Sequence, residues 1–128
     1  MNLNSGLKGF KGEVSINNIL KTLSKRRNFK YLKTAILPIN GSVTQVDFMI
    51  FAKCAMICLE VKAWSGEIYV PNNKYDSWRV VYENRDITPH NPIIQNDVHI
   101  KAANYLSPLQ INYINYIVFS ENPVIHNR

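Results

Sequence analysis

A chain of 128 residues fits one hydrophobic core, which usually serves about 100 to 150 residues. Its 46% hydrophobic and 11% aromatic content, with only five Gly and six Pro, excludes a disordered or repetitive chain and predicts one globular domain over residues 1–128. The net charge of +6 is local, because residues 1–33 hold eight Lys or Arg against one acid, Glu13, while the remainder holds seven against eight.

From the N-terminus, Met1 to Gly12 lacks the apolar core of a signal peptide. The spacing of Glu13, Ile16, Leu20 and Leu23 predicts a helix over 8–25 with a carboxylate on its apolar stripe. Lys21, Lys25, Arg26 and Arg27 fall in or just past its last turn, where cations complement the helix dipole. The wider block of Lys25, Arg26, Arg27, Lys30 and Lys33 can also attract nucleic acid or an acidic membrane surface; a solvated helix end is the plainer reading. Residues 29–37 then read as a strand, ended by Pro38 and the turn residues Asn40 and Gly41.

Two short apolar runs follow, 45–51 and 55–62, each carrying acids at single positions. Alternation places Val46, Phe48 and Ile50 on one face of the first, opposite Gln45, Asp47, Met49 and Phe51. In the second, Ile57, Leu59 and Val61 oppose Met56, Cys58, Glu60 and Lys62. A two-residue turn at Lys53 and Cys54 would pair residues whose numbers sum to 107, setting Asp47 across from Glu60. Cys54 and Cys58 are too few for a zinc site, and on a strand they lie roughly 13 Å apart, too far for a disulfide. Two free thiols predict a cytoplasmic protein.

Beyond Gly66, residues 67–70 and 78–82 flank a turn-rich stretch and predict a hairpin that extends the sheet. Residues 86–92 read as a loop and 93–106 as a second helix, with Pro92 in its first turn and Pro108 closing it. Residues 113–119 predict a final strand, and 121–128 a tail or an unfinished connection. The uncharged stretch from Ala102 to Ser120 is broken by Asn104, Pro108, Gln110, Asn112 and Asn115, so no membrane segment is expected. Trp64 and Trp78 are read as packing residues, with stacking on bases as the alternative. His99, one turn after Gln95, is read as a surface or core histidine, with a site-facing placement as the alternative.

Asp47 and Glu60 sit inside hydrophobic strands, where an ionised carboxylate is costly to desolvate, and two adjacent carboxylates raise the pKa of at least one. A divalent cation that prefers oxygen ligands removes both penalties. Lys62, on the same face as Glu60, could then reach a metal-bound water or a phosphate under attack. The plain alternative is a structural ion pair between Lys62 and one of the acids.

These residues belong to a longer pattern: Lys11-Gly12-Glu13, then Thr44-Gln45-Val46-Asp47, then Leu59-Glu60-Val61-Lys62-Ala63-Trp64-Ser65-Gly66, and Asn91-Pro92-Ile93-Ile94-Gln95-Asn96. In this order, over about residues 6–106, the chain resembles the nuclease-related domain (NERD) of the PD-(D/E)XK nuclease superfamily. The resemblance implies an α/β fold with a mixed central sheet flanked by two helices and an added β-hairpin. It implies a deoxyribonuclease using Mg²⁺ or Mn²⁺ and leaving 5′-phosphate ends, with RNA as an open alternative substrate. Asp47, Glu60, Glu13 and the backbone carbonyl of Val61 would hold the metal, Lys62 would be the catalytic lysine, and Glu13 and Gln95 would complete the site from the two helices. Phe48 stands where the family commonly has His, and Cys54 and Ala55 where it has a turn Gly. A non-catalytic nucleic-acid-binding module on the same fold is the rival reading, and the oligomeric state, a dimer included, is left open.

Overall fold

The computed structural model, which describes residues 3–107 and 110–127, opens with α1 (Leu3–Arg27), a helix that starts ahead of its expected first residue and holds Lys25, Arg26 and Arg27 in its last turn. Three antiparallel strands follow: β1 (Lys30–Ile39), β2 (Ser42–Phe51) and β3 (Met56–Lys62). Asn40 and Gly41, with φ of 46° and 75°, make the left-handed two-residue turn between β1 and β2 that Asn-Gly favours. Pro38 does not end β1; it lies within this edge strand, where a missing N–H costs no ladder bond. Between β2 and β3 the expected turn forms, Ala52 N–H donating to the Ala55 carbonyl, and the ladder runs from Phe51↔Met56 to Phe48↔Leu59. Those pairs keep the expected sum, and Asp47 and Glu60 stand one step beyond the last of them.

The chain then forms β4 (Glu67–Val70), β5 (Arg79–Tyr82) and β6 (Arg85–Ile87), crosses through α2 (Pro92–Leu106), and returns as β7 (Tyr113–Phe119) and β8 (Val124–Asn127). β7 joins β3 in parallel, completing a mixed sheet in the order β1-β2-β3-β7. The Asn91 side chain caps α2 by accepting from the Ile93 and Ile94 N–H groups, and its amide donates to the Lys74 and Asp76 carbonyls, tying the helix start to the β4–β5 connection. Pro92 takes the first position, as expected; Pro108 lies outside the described residues.

The two helices cover opposite faces of this sheet. Leu20 of α1 packs with Phe48 and Leu59, and Ala103 of α2 with Met49 and Cys58, residues that alternate along β2 and β3. Val46 corrects the sequence expectation: it packs with Ala103 on the α2 side, away from Phe48. The cause lies opposite Asp47. Thr34 has φ of 56°, an uncommon angle for a β-branched residue, and the ladder skips that position, pairing Lys33 with Phe48 and Ala35 with Val46. This left-handed residue turns the β1–β2 ribbon over, so Tyr31 and Phe48 face α1 while Ala35 and Val46 face α2.

Three further expectations fail together. The hairpin from β4 to β5 does not extend the first sheet; it forms the middle of a second one, in the order β6-β5-β4-β8. The stretch read as a loop supplies β6, because Glu83 and Asn84 turn the chain and Asp86 meets Arg79 in an ion pair across β5. The stretch read as a tail supplies β8, whose Ile125 lies beside Ile68 in parallel. Ile68, Trp78 and Val80 form the core of this sheet, and Trp64, Ile93 and Phe119 lock it against α2 and the end of β7.

Candidate active site

The acids of the sequence motif meet where β3 leaves the first sheet. Glu13 lies deep within α1, far past its first turn, so dipole stabilisation at a helix start does not account for it. Its carboxyl lies within hydrogen-bonding reach of Asp47, and burial first, then Asp47, raises its pKa above the ordinary value, with Lys33 opposing. Asp47 Oδ2 accepts the Val61 backbone N–H at 2.9 Å, which replaces the missing ladder contact between β2 and β3. Val61 is thus engaged through its N–H, and its side chain packs on the α1 side.

Glu60 is the most deeply buried acid here, 5% exposed. Burial, and next the charge of Asp47, push its pKa up to about 7, against the pull of Lys62. Its Oε1 lies 3.2 Å from Lys62 Nζ, while Oε2 has no hydrogen-bond partner among the described residues. Lys62 Nζ also donates to Gln95 Oε1 at 3.0 Å, joining β3 to α2, and stands 5.6 Å from the centre of the Trp64 ring. Glu13, Asp47, Glu60, Lys62 and Gln95 therefore line up from α1 through the sheet to α2, Asp47 meeting β3 at the Val61 N–H and acting on Glu60 through its charge. Three carboxylates face the Lys62 ammonium, with Lys33 acting on Glu13, a donor set short of positive charge.

His99 takes both placements weighed for it. It is buried, 3% exposed, and faces the site, with Nδ1 3.1 Å from Asn96 Oδ1 and 3.7 Å from Glu60 Oε2. Asn96, fully buried, was missed by the sequence reading as a site residue, although its position next to Gln95 and one turn before His99 was the available signal. Its amide donates to the Cys58 carbonyl and to Asn115 Oδ1. Burial pushes the Cys58 thiol up to about 11, leaving it an inert packing group. Trp78 is 4% exposed and cannot stack on a base; Trp64 is half-buried and packs on Trp78 and Phe119.

Two glycines of the motif permit the close approaches that shape this region. A Cβ on Gly12 would meet Ser120 Cβ at 2.8 Å and its hydroxyl closer still, and one on Gly66 would run into the Val81 carbonyl. Gly12 thus lets α1 lie against the end of β7 and hold Glu13 over Asp47. Among the described residues no three His, Cys, Asp or Glu side chains are placed to hold a metal ion by themselves. No helix among them is long and apolar enough to cross a membrane.

The family described as the nuclease-related domain matches residues 8–120. An uncharacterized protein of Bacillus anthracis is 27% identical over 112 residues, covering 88% of this chain and 52% of that protein, so the chain spans about half the relative's length. No solved structure matches the chain.

Proposed function

The chain belongs to the nuclease-related domain family, within the PD-(D/E)XK nuclease superfamily, and from that membership we propose a Mg²⁺- or Mn²⁺-dependent nuclease that hydrolyses phosphodiester bonds in DNA. The observation that carries the reading is the convergence of Glu13, Asp47, Glu60, Lys62 and Gln95 from two helices and two strands. A structural ion pair needs one carboxylate for one lysine, and its other acids would be a burden. An excess of carboxylate around the buried Glu60 fits a cation site, and the partnerless Glu60 Oε2 is an oxygen available to it.

Asp47 and Glu60, helped by Glu13 and the Val61 carbonyl, would hold the ion, with water and substrate phosphate completing the oxygen set that Mg²⁺ prefers. When bound, the ion polarises the phosphate and acidifies a water. Lys62 has three donors: one goes to Gln95 and one faces Glu60, which leaves one for the attacking water or a phosphate oxygen. Gln95, a neutral acceptor, holds the ammonium in place without quenching its charge. The P–O3′ bond breaks, leaving a 5′-phosphate end. Two free thiols, Cys54 and Cys58, go with a cytoplasmic setting.

Incubation of purified protein with supercoiled and linear DNA in Mg²⁺, Mn²⁺ or EDTA tests this. Cleavage is expected only with metal, and Lys62→Ala is expected to lose it by ~10²-fold or more while keeping its fold. Equal turnover in that variant would remove Lys62 from the chemistry, and DNA binding without turnover in any metal would leave a binding module.

A further inference from the structure

A second concavity lies at the opposite end of the first sheet. The last turn of α1, the start of β1 and the β2–β3 turn enclose an open groove whose lining includes Arg27, Phe29, Lys30, Leu32, Phe51 and Lys53. Every charged residue lining it is a cation. Arg79 pairs with Asp86, Arg85 lies over Tyr82, Lys74 over Tyr75, and Lys62 is held by Glu60 and Gln95, whereas the cations of the groove belong to the larger set held by nothing among the described residues. Arg27, Lys30 and Lys53 are exposed and make no hydrogen bond or ion pair among the described residues. The apolar floor is open as well, with Leu32 51% and Phe51 37% exposed.

The free edge of β1 runs from the groove toward the candidate site. Lys33 lies three residues beyond Lys30 on the same free edge strand, about 10 Å on, and its charge reaches Glu13. Across the ladder, Lys30 pairs with Phe51, four residues and about 13 Å from Asp47. Lys30 and Lys33 point to opposite faces of this edge strand, so the cations flank its free edge on both sides between the groove and the acids. Lysines on an edge strand can serve only to discourage strand pairing, and cations at a helix end only to offset its dipole. Neither explains Lys53, which sits in a turn, or why cations and bare apolar surface share one groove.

We propose that this groove binds the sugar-phosphate backbone of a single nucleic-acid strand, with Leu32 and Phe51 against its bases, and that the strand continues along β1 past Lys33 to the active site. The destination of the strand rests on the nuclease reading; the binding itself does not. Cations tracking a backbone beside exposed apolar and aromatic groups are the features by which single strands are held without regard to sequence.

The test uses the whole chain in EDTA, so that nothing is cut, with labelled oligothymidylate of five and of twenty nucleotides. Replacing Arg27, Lys30 and Lys53 with Gln is expected to reduce the slope of log affinity against log salt by about two units on the longer strand, at roughly 0.7 per lost contact. Lys53→Glu alone, a change in an exposed turn, is expected to weaken binding in the same direction. In Mn²⁺ the triple variant is expected to cleave the long strand at least ~10-fold more slowly while hydrolysing a small chromogenic phosphodiester as the wild type does, because that substrate cannot span both sites. An unaltered salt slope overturns the proposal. So does loss of binding to vesicles of anionic phospholipid with strand binding intact, which would make the groove a membrane contact. A reduced slope in a protein that cleaves nothing upholds the groove and defeats the nuclease reading alone.

Discussion

Asn96 decides which nitrogen of His99 carries its proton. Asn115 donates from its amide to the Ile93 carbonyl and to Asp97, so its oxygen faces Asn96. Asn96 donates to that oxygen and to the Cys58 carbonyl, so its own oxygen faces His99. His99, whose burial lowers its pKa and keeps it neutral, must therefore donate from Nδ1, and the same N–H edge points at Glu60 Oε2. At 3.7 Å this contact is electrostatic and not a hydrogen bond; groups that support a metal ligand typically change metal affinity or activity by about 10- to 100-fold when removed. His99→Leu is expected to weaken Mn²⁺ binding, measured by calorimetry, within that range, and His99→Asn, which keeps a donor near the Nδ1 position, to recover part of it. Equal Mn²⁺ affinity in wild type and both variants would leave His99 a packing residue.

Among the elements, α1 is placed by what it lacks. Gly12 to Ala in an exposed helix interior would add about 1 kcal/mol of stability, since Gly is a poor helix former. Here the added methyl meets Ser120, and the helix must lift off the end of β7. Gly12→Ala is therefore expected to lower the melting temperature and, by moving Glu13, to slow DNA cleavage. A second change, Ser120→Gly, should restore both, because it removes the obstructing atoms and the Ser120 hydroxyl has no hydrogen-bond partner among the described residues to lose. A Gly12→Ala protein that melts higher than wild type would show that the contact relaxes freely. The sequence reading began α1 at residue 8 and missed its first turns, although Leu3, Leu7 and Phe10 are spaced four and three apart, a helical signal.

For the whole molecule, the buried acids link stability to pH and to cations. Glu60 has an ordinary pKa of 4.5 unfolded and about 7 folded, so between those values the folded chain keeps a proton that the unfolded chain has lost. The stabilisation is fully present below 4.5 and is lost as pH rises through about 7, a change on the order of 3 kcal/mol; burial and Asp47 shift Glu13 in the same direction. In EDTA the melting temperature is expected to fall between pH 5 and pH 8, and Glu60→Gln to flatten that fall and melt higher at pH 8. Mn²⁺ at a hundred times its dissociation constant should return about 2.7 kcal/mol to the wild type and much less to the variant. A wild type whose stability ignores both pH and Mn²⁺ would point to a structural ion pair.

Local periodicity and turn chemistry were enough to place the strands at 45–51, 55–62 and 113–119 and the helix at 93–106, because apart from Val46 the alternation along the chain sets which way each side chain points. They were also enough for the β2–β3 register, since a two-residue turn fixes every pair beyond it. What only the tertiary structure decided was everything that depends on a partner distant in sequence. β6 and β8 are short and mostly exposed, and are strands only because β5 and β4 offer them free edges. Val46 changes face because Thr34, on another strand, turns the ribbon over. His99 is a site residue because α2 packs over Glu60, and the basic groove exists because the end of α1 comes to rest beside the turn carrying Lys53. A side chain's direction is mostly local; what it meets, and at Val46 the direction itself, is set by packing across the whole chain.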